Sequence, residues 1–196
     1  MKERSDPVTP STKKRPTLKT ERLVLRPFEL SDAPRVQLLA GDRDVAAMTL
    51  LIPHPYEDGI AEAWIGSHQE HFENGQEIVF AITRKASAEL IGAIGLVPNP
   101  HHDLAGLGYW LGKPYWNEGY CTEAARAVLH YAFTELRLNR VQAHHFSHNP
   151  ASGRVMQKVG MRHEGTLRQH VKKWGEFYDN ETYGILRAEF ADSRRD

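Results

Sequence analysis

A chain of 196 residues, 40% of them hydrophobic, is long enough to fold into one α/β domain with a complete core. Its 25 Lys and Arg residues balance 25 Asp and Glu residues, which excludes a nucleic-acid binder that relies on bulk positive charge. The single cysteine, Cys121, excludes an internal disulfide and fits a reducing compartment. Without a membrane-length apolar run or a signal-peptide core, the sequence predicts a cytoplasmic protein with no membrane contact and no direct nucleic-acid partner.

Both ends of the chain have the composition of tails around a single domain. Residues 1–17 are charged, rich in Ser, Thr and Pro and almost free of large apolar side chains, so they predict a flexible N-terminal tail. The alternative is a basic arm, in which residues 13–15 contact RNA or an acidic partner. Residues 191–196 predict a C-terminal tail. Residues 18–190 then form one domain, since the sequence contains no internal repeat and no second domain.

Alternating and apolar segments predict a mixed sheet of about six to seven strands with helices on both faces, an α/β (α+β) fold. Ser31 and Pro34 begin an early helix that Gly41 ends, and residues 42–55 are irregular. A second helix is predicted at Tyr56–Glu73. The predicted strands are Leu18–Glu29, Glu77–Arg84, Leu90–Pro98, Leu104–Leu111, Arg140–Ser147, Met161–Lys173 and Phe177–Ala188.

The stretch from Gly108 to Phe133 runs from a strand through a loop into an amphipathic helix. The first N–H groups of a helix lack partners inside the helix, and the helix dipole adds positive charge there, so an anion would satisfy both. Gly119 allows the backbone to approach a ligand closely. Residues 116–122 therefore predict a phosphate-binding turn, with an ordinary strand-to-helix turn as the alternative. The loop has neither a Walker ending nor a dinucleotide fingerprint.

A second, shorter helix follows the strand at residues 140–147. Asn149 is a good N-cap, Pro150 suits the first helical position, and Gly160 is placed to end the helix. Ser152 lies in its first turn. Because Asn149 alone meets the capping need, Ser152 is free for a chemical role, although both residues acting as plain caps is the alternative.

Three blocks of the chain together resemble one enzyme family. Residues 116–124 read W-N-E-G-Y-C-T-E-A, and residues 149–165 read N-P-A-S-x-x-V-x-x-K-x-G-M-x-x-E-G. Both are similar to motifs A and B of the GCN5-related N-acetyltransferases (GNAT). Residues 20–27, T-x-R-L-x-L-R-P, resemble the opening of the branch that contains the RimJ and RimL ribosomal-protein N-terminal acetyltransferases. The resemblance extends from about Leu18 to Arg187.

The resemblance implies an acetyl-CoA-dependent N-acetyltransferase that transfers acetyl directly to a primary amine in a ternary complex, without an acyl-enzyme. The acceptor would be a protein N-terminal amine, such as that of a ribosomal protein, or a small amine, chosen by the helical region at residues 42–74. A metal is not implied, and homodimers occur in the family. The runner-up interpretation is a non-catalytic acyl-CoA-binding or sensor domain. A generic nucleotide-binding protein would need an acidic ribose contact or a phosphate-loop lysine, neither of which the sequence contains.

The family fold also implies where the cofactor lies. In that fold the fourth strand, here Leu104–Leu111, bulges and splays from the fifth, and its exposed edge pairs the pantetheine amides. A backbone N–H near Trp110 or Leu111 is the candidate oxyanion donor. Asn149 and Ser152 are the implied catalytic pair: Asn149 contacts the pantetheine, and Ser152 donates a hydrogen bond or proton to the thiolate. The implied cofactor-binding residues are Tyr109, Trp110, Leu111, Trp116, Asn117, Glu118, Gly119, Tyr120, Cys121, Thr122, Asn149 and Ser152.

The remaining reactive side chains are predicted to have roles outside the chemical step. Cys121 is interpreted as a small residue facing the phosphate loop rather than a nucleophile, because nothing in the sequence places a base beside it. Glu123 is predicted to tie its helix to a neighbouring loop. His144 and His145 point to opposite faces of a strand, so they cannot chelate one metal together.

The sequence offers several candidates for the general base. An α-amino group has a pKa of roughly 8, so a water chain to bulk solvent can suffice for its deprotonation. The conceivable side chains are Glu29, Glu77, Asp103 and Tyr178. In the RimL pattern an acid stands on the sixth strand, but alignment through Ser152 puts Val171 near that place.

Overall fold

The computed structural model describes residues 13–192, which form one eight-stranded sheet in the order β1-β2-β3-β4-β5-β6-β8-β7. Only β5 and β6 are parallel; every other neighbouring pair is antiparallel. The strands are β1 Leu18–Lys19, β2 Leu23–Arg26, β3 Ile78–Arg84, β4 Leu90–Asn99, β5 Leu104–Leu111, β6 Arg140–Phe146, β7 Arg162–Lys173 and β8 Glu176–Leu186. The mixed, mostly antiparallel sheet is confirmed.

The predicted first strand is divided, which brings the count from about seven strands to eight. The Thr20 hydroxyl accepts a hydrogen bond from the Leu23 N–H at 2.9 Å, and the Thr20 N–H donates to the Leu23 carbonyl at 3.0 Å. This local turn interrupts the extended chain and folds β1 back onto β2.

The helices follow the predicted order, with two additions. The second predicted helix begins at Ile60 rather than Tyr56, because Gly59 takes a left-handed conformation there. Asp42 accepts from the Asp44 N–H at 2.8 Å, which caps a short helix inside a segment predicted to be irregular. Residues 187–188 were predicted to continue the last strand, but they begin a helix, because Glu189 accepts from the Leu186 N–H at 2.9 Å. The helices are α1 Ala33–Ala40, α2 Arg43–Ala47, α3 Ile60–Glu73, α4 Tyr120–Thr134, α5 Pro150–Lys158 and α6 Arg187–Asp192.

Helices cover both faces of the sheet, as predicted. One face packs against α4 and α5 in the larger apolar core, which contains Val128, Leu129 and Met156. The other face packs against α1 and α3 through Val79 and Ala93. Successive strand residues alternate between these two cores, which explains why β3 and β4 are almost continuously apolar.

The two parallel strands separate halfway along. Residues 104–107 of β5 pair with residues 140–143 of β6, and the pairing ends there. The expected splay is therefore confirmed, but the expected bulge is wrong, since residues 104–111 stay in regular register with β4. The gap arises because β5 stays paired with β4 along its whole length, whereas β6 stays paired with β8.

The described part of the predicted N-terminal tail lies against the domain. The Arg15 guanidinium donates to the Phe28 carbonyl at 3.2 Å, and Gln69 donates to the Lys13 carbonyl at 3.1 Å. These contacts occupy Arg15, one of the three cations of the alternative RNA-binding arm. Residues 1–12 and 193–196 lie outside the described residues. Within residues 13–192, none of the helices is both long and apolar enough to cross a membrane.

Candidate active site

A cleft of about 1140 Å³ crosses the sheet where β5 and β6 separate. Eleven of the twelve residues predicted to bind the cofactor line it, including Tyr109, Gly119, Asn149 and Ser152. Glu118 is the exception, because its exposed side chain lies outside the cleft and its carbonyl accepts from Arg22 at 3.0 Å. The structure thus brings together two segments that are far apart in the sequence.

The loop before α4 has the geometry of an anion-binding turn. Asn117 and Gly119 both have left-handed backbone conformations, with φ of 65° and 77°. The first α4 hydrogen bond runs from the Glu123 N–H to the Gly119 carbonyl at 3.1 Å, and no side chain caps the helix. The N–H groups of residues 120–122 therefore face a possible ligand with the positive end of a helix dipole behind them.

Arg22, which is not among the predicted site residues, braces this loop. Its guanidinium donates to Glu123 at 2.7 Å and to the Glu118 carbonyl at 3.0 Å, and it lies 4.6 Å from the centre of the Tyr120 ring. Glu123 also accepts from the Thr20 hydroxyl at 2.6 Å. The predicted tying role of Glu123 is confirmed. The available signal for Arg22 was the T-x-R-L block, whose chemistry appears only when the fold joins β2 to α4.

The open edge of β5 presents a defined set of backbone groups. The Gly112 N–H donates to the Ile91 carbonyl at 2.9 Å, so alternation turns the polar groups of Trp110 toward β4 and those of Tyr109 and Leu111 toward the gap. The Leu111 carbonyl already accepts from the Trp116 indole N–H at 2.8 Å. Of the two candidate oxyanion donors, the Leu111 N–H is the one that faces the cleft.

Two hydroxyl groups meet beside this edge. The Tyr109 and Ser152 hydroxyl oxygens are 2.9 Å apart, and the Tyr109 hydroxyl also lies 3.1 Å from the Ser152 carbonyl oxygen. Burial raises the pKa of Tyr109, so its phenol stays protonated. Asn149 accepts from the Ser152 N–H at 3.3 Å and donates to the Met48 carbonyl at 3.4 Å. Asn149 thus caps α5 and also holds the segment that follows α2.

Cys121 is a protonated thiol in the cleft wall. Burial raises its pKa to about 12, the opposite of the shift that activates a nucleophilic cysteine. We expect Cys121→Ala to keep the kcat/KM for amine acetylation within about twofold, because the direct transfer that the family resemblance implies needs no thiol of the protein. A loss of activity greater than about 100-fold, or rapid alkylation of the native protein by iodoacetamide at pH 7, would contradict this role.

The histidines at the end of β6 divide between the two faces of the strand. His144 is exposed, whereas His145 is buried and its Nδ1 lies 2.8 Å from the Phe146 carbonyl oxygen. Among residues 13–192, no three His, Cys, Asp or Glu side chains are grouped as a metal site would require.

Only one of the four conceivable general bases lines the cleft. Glu77 does so immediately before β3, and burial raises the pKa of its carboxyl group. Glu29 and Asp103 are exposed at other parts of the surface, and the Tyr178 hydroxyl donates to Glu176 at 2.8 Å. Val171, on β7, lines the cleft, so an apolar side chain stands there instead of the acid that the RimL pattern has on the corresponding strand.

Comparison with known proteins agrees with this arrangement. Residues 22–162 match the family model described as an acetyltransferase (GNAT) domain. The chain is 31% identical over 176 residues to the uncharacterized N-acetyltransferase p20 of Bacillus licheniformis, covering 89% of this chain and 98% of that protein. It is 24% identical over 143 residues to the [ribosomal protein uS5]-alanine N-acetyltransferase of Escherichia coli, covering 72% of this chain and 73% of that enzyme.

Solved structures show the same relationship. The GNAT-family acetyltransferase of Bacillus anthracis superposes with a TM-score of 0.78 at 29% identity, covering 88% of this chain and 99% of that one. The fold, the cleft between the splayed strands and the family match over residues 22–162 all agree. The chain belongs to the GNAT family and is an N-acetyltransferase, an enzyme that transfers an acyl group to an amine.

Proposed function

We propose that the protein transfers acetyl from acetyl-CoA directly to a primary amine within a ternary complex. The observation that carries this proposal is the convergence of the α4 N-terminus, the open Leu111 N–H and the Ser152 hydroxyl on one cleft. The first supplies donors for a pyrophosphate, the second for a thioester carbonyl oxygen, and the third for a departing sulfur. The family uses acetyl-CoA as its acyl donor.

In the mechanism, acetyl-CoA supplies a thioester carbonyl and a thiolate leaving group. The N–H groups of residues 120–122 hold the pyrophosphate, and the Tyr109 and Leu111 backbone orients the pantetheine arm. The Leu111 N–H stabilises the oxyanion that develops as the neutral amine attacks. The Ser152 hydroxyl donates to the thiolate, and Tyr109 holds that hydroxyl at 2.9 Å.

The second candidate acceptor is a protein N-terminal amine, which is the acceptor that the RimJ/RimL resemblance implies. The specific observation in its favour is the similarity to the uS5-alanine N-acetyltransferase, together with the T-x-R-L-x-L-R-P block. The sensor alternative predicts that the cofactor binds without turnover. Acceptor-dependent release of free thiol distinguishes it from both transferase readings.

We expect Ser152→Ala to lower kcat about 100-fold while the acetyl-CoA Kd changes little, because a proton donor to the leaving group acts mainly in the transition state. The assay follows free-thiol release with a panel of amines and N-terminal peptides. Tyr109→Phe should lower kcat in the same direction but add little to Ser152→Ala, because the two hydroxyls act as one pair.

The matched control for this experiment is Ser87→Ala, which removes a hydroxyl from the turn between β3 and β4, outside the cleft. Its kcat should equal that of the unmodified protein. If Ser152→Ala left kcat unchanged on a good acceptor, Ser152 would have no part in the chemistry. Acetyl-CoA binding without thiol release from any acceptor would favour the sensor alternative.

A further inference from the structure

The part of the cleft on the α1 and α3 face of the sheet, here named the acceptor chamber, is walled by apolar and aromatic side chains. Its wall is formed by Tyr56, Ile60, Trp64, Val79, Val97 and Trp110. Trp64 is held in place by an edge-on contact with Phe28, with ring centres 5.0 Å apart. A rigid aromatic wall of this kind favours an apolar body in the bound molecule.

Glycines form the floor of the acceptor chamber. Val79, Gly95 and Gly108 are neighbours across three strands, in one row perpendicular to the strands. A Cβ on Gly108 would meet no atom within 4 Å, so the space above it is open. A flat or branched apolar group can therefore lie directly against the backbone of β5 at Gly108.

Within residues 13–192, Glu77 is the only acidic side chain that lines the cleft. It precedes Val79 by two residues, so strand alternation places both on the chamber face, and 32% of its side chain is exposed. Its nearest ionisable partner is His71, 3.7 Å away. The Arg and Lys side chains that line the cleft, Arg154 and Lys158, are on α5 at the opposite face of the sheet.

The mouth of the acceptor chamber is apolar as well. Leu51 is 89% exposed and Val97 is 56% exposed, and both line the cleft. Exposed apolar side chains grouped at a cleft mouth mark a surface that is covered when a ligand binds. Lysine or arginine side chains are absent from the chamber lining within the described residues, so Glu77 is its one carboxylate, and the other basic groups of the cleft outside α5 are the imidazoles of His144, His145 and His148.

From these observations we propose that the acceptor is a primary amine with a single positive charge on an aromatic or branched aliphatic body. The Glu77 carboxylate, which the strand register places level with Gly106, attracts its ammonium group into the chamber, and the amine then loses a proton to water and moves along β5 to attack. This inference rests on the proposed transferase function. A polyamine or aminoglycoside would leave its additional ammonium groups unpaired against apolar walls, which is costly. The same chemistry is offered by a free arylalkylamine or by a peptide that begins with an apolar residue.

The test compares 2-phenylethylamine, spermidine, glycinamide and the peptide Phe-Gly-Gly as acceptors, by thiol release and by thermal stabilisation of the CoA-bound protein. We expect kcat/KM for 2-phenylethylamine to exceed that for spermidine at least tenfold. Glu77→Gln should raise the KM for this amine about tenfold without changing the Kd for acetyl-CoA. Val97→Lys adds a cation at an exposed position of the chamber, and it should also lower kcat/KM for this amine about tenfold. Comparing kcat/KM for Phe-Gly-Gly with kcat/KM for 2-phenylethylamine shows whether the acceptor is a peptide N-terminus or a free amine.

Glu73→Gln is the matched control, since it removes the same charge from an exposed residue at the end of α3. Its KM should equal that of the unmodified protein. Turnover that is best with spermidine or glycinamide would leave the transferase intact and overturn this inference. If no acceptor releases thiol, the transferase proposal fails, and the melting temperature of the CoA-bound protein then tests the amine assignment separately. A rise in melting temperature with 2-phenylethylamine that Glu77→Gln abolishes supports the assignment, and no rise overturns it.

Discussion

Replacing Lys173 with Met is expected to raise the acceptor KM at least about tenfold and to lower the free energy of unfolding by about 2–3 kcal/mol. Lys173 is 7% exposed at the end of β7. Its ammonium group donates to the carbonyls of Leu50 at 3.3 Å and Ile52 at 3.0 Å, and to that of Thr49. Met keeps the apolar stem but leaves these carbonyls without their charged donor.

The physical basis is that Lys173 holds a loop from another part of the chain. Residues 48–53 line the cleft and have no strand pairing, so their position depends on Lys173 and on the Asn149 contact with Met48. Loosening this loop should affect the acceptor side of the cleft most, because the turn at residues 116–122 is braced separately by Arg22. The Kd for acetyl-CoA should therefore change less than the acceptor KM.

Lys172→Met supplies the control for Lys173→Met. Lys172 is exposed on the same strand, and its ammonium lies 5.3 Å from the centre of the Phe177 ring rather than on a carbonyl cluster. Its loss should cost less than about 0.5 kcal/mol, as surface substitutions usually do. Equal acceptor KM values for the two variants would show that Lys173 does not position the loop.

Local sequence rules were sufficient for most of the fold because local and tertiary preferences agree in this chain. The helix starts at Asn149 and Gly119 occur where capping and left-handed geometry require them. The errors arose where one side-chain contact decides the outcome, as when Thr20 divides the first strand and Glu189 begins the last helix. Such contacts have almost no periodic signal.

The site was predictable in part for a related reason. Backbone features of one segment, such as the left-handed turn at Gly119 before α4, can be predicted from that segment alone. Arg22, Lys173 and the chamber position of Glu77 depend on which strands become neighbours, and that information is spread over more than a hundred residues. The sequence predicts Lys173 only as a strand residue, because a buried lysine without a carboxylate partner is uncommon.

Substitution of Gly119 by Val is expected to weaken acetyl-CoA binding at least about 100-fold, a loss of about 2.7 kcal/mol. Gly119 is the N-cap of α4 with φ of 77°, and it lines the cleft where the helix N–H groups are exposed. The nearest atom to an added Cβ is the Arg22 Nη2 at 3.4 Å. The free protein can therefore accommodate the side chain, apart from backbone strain, while a bound pyrophosphate cannot approach as closely.

Gly75→Val separates backbone strain from the loss of binding. Gly75 has φ of 67°, an added Cβ there meets nothing within 4 Å, and the residue lies outside the cleft. Both variants should lose a similar 1–2 kcal/mol or so of unfolding free energy, because each forces a β-branched residue into the left-handed region. Calorimetry should then show the Kd for acetyl-CoA increased in Gly119→Val alone. Equal and unchanged Kd values in both variants would mean that the turn at residues 116–122 does not bind the pyrophosphate, and that the cofactor is held by the β5 edge and α5.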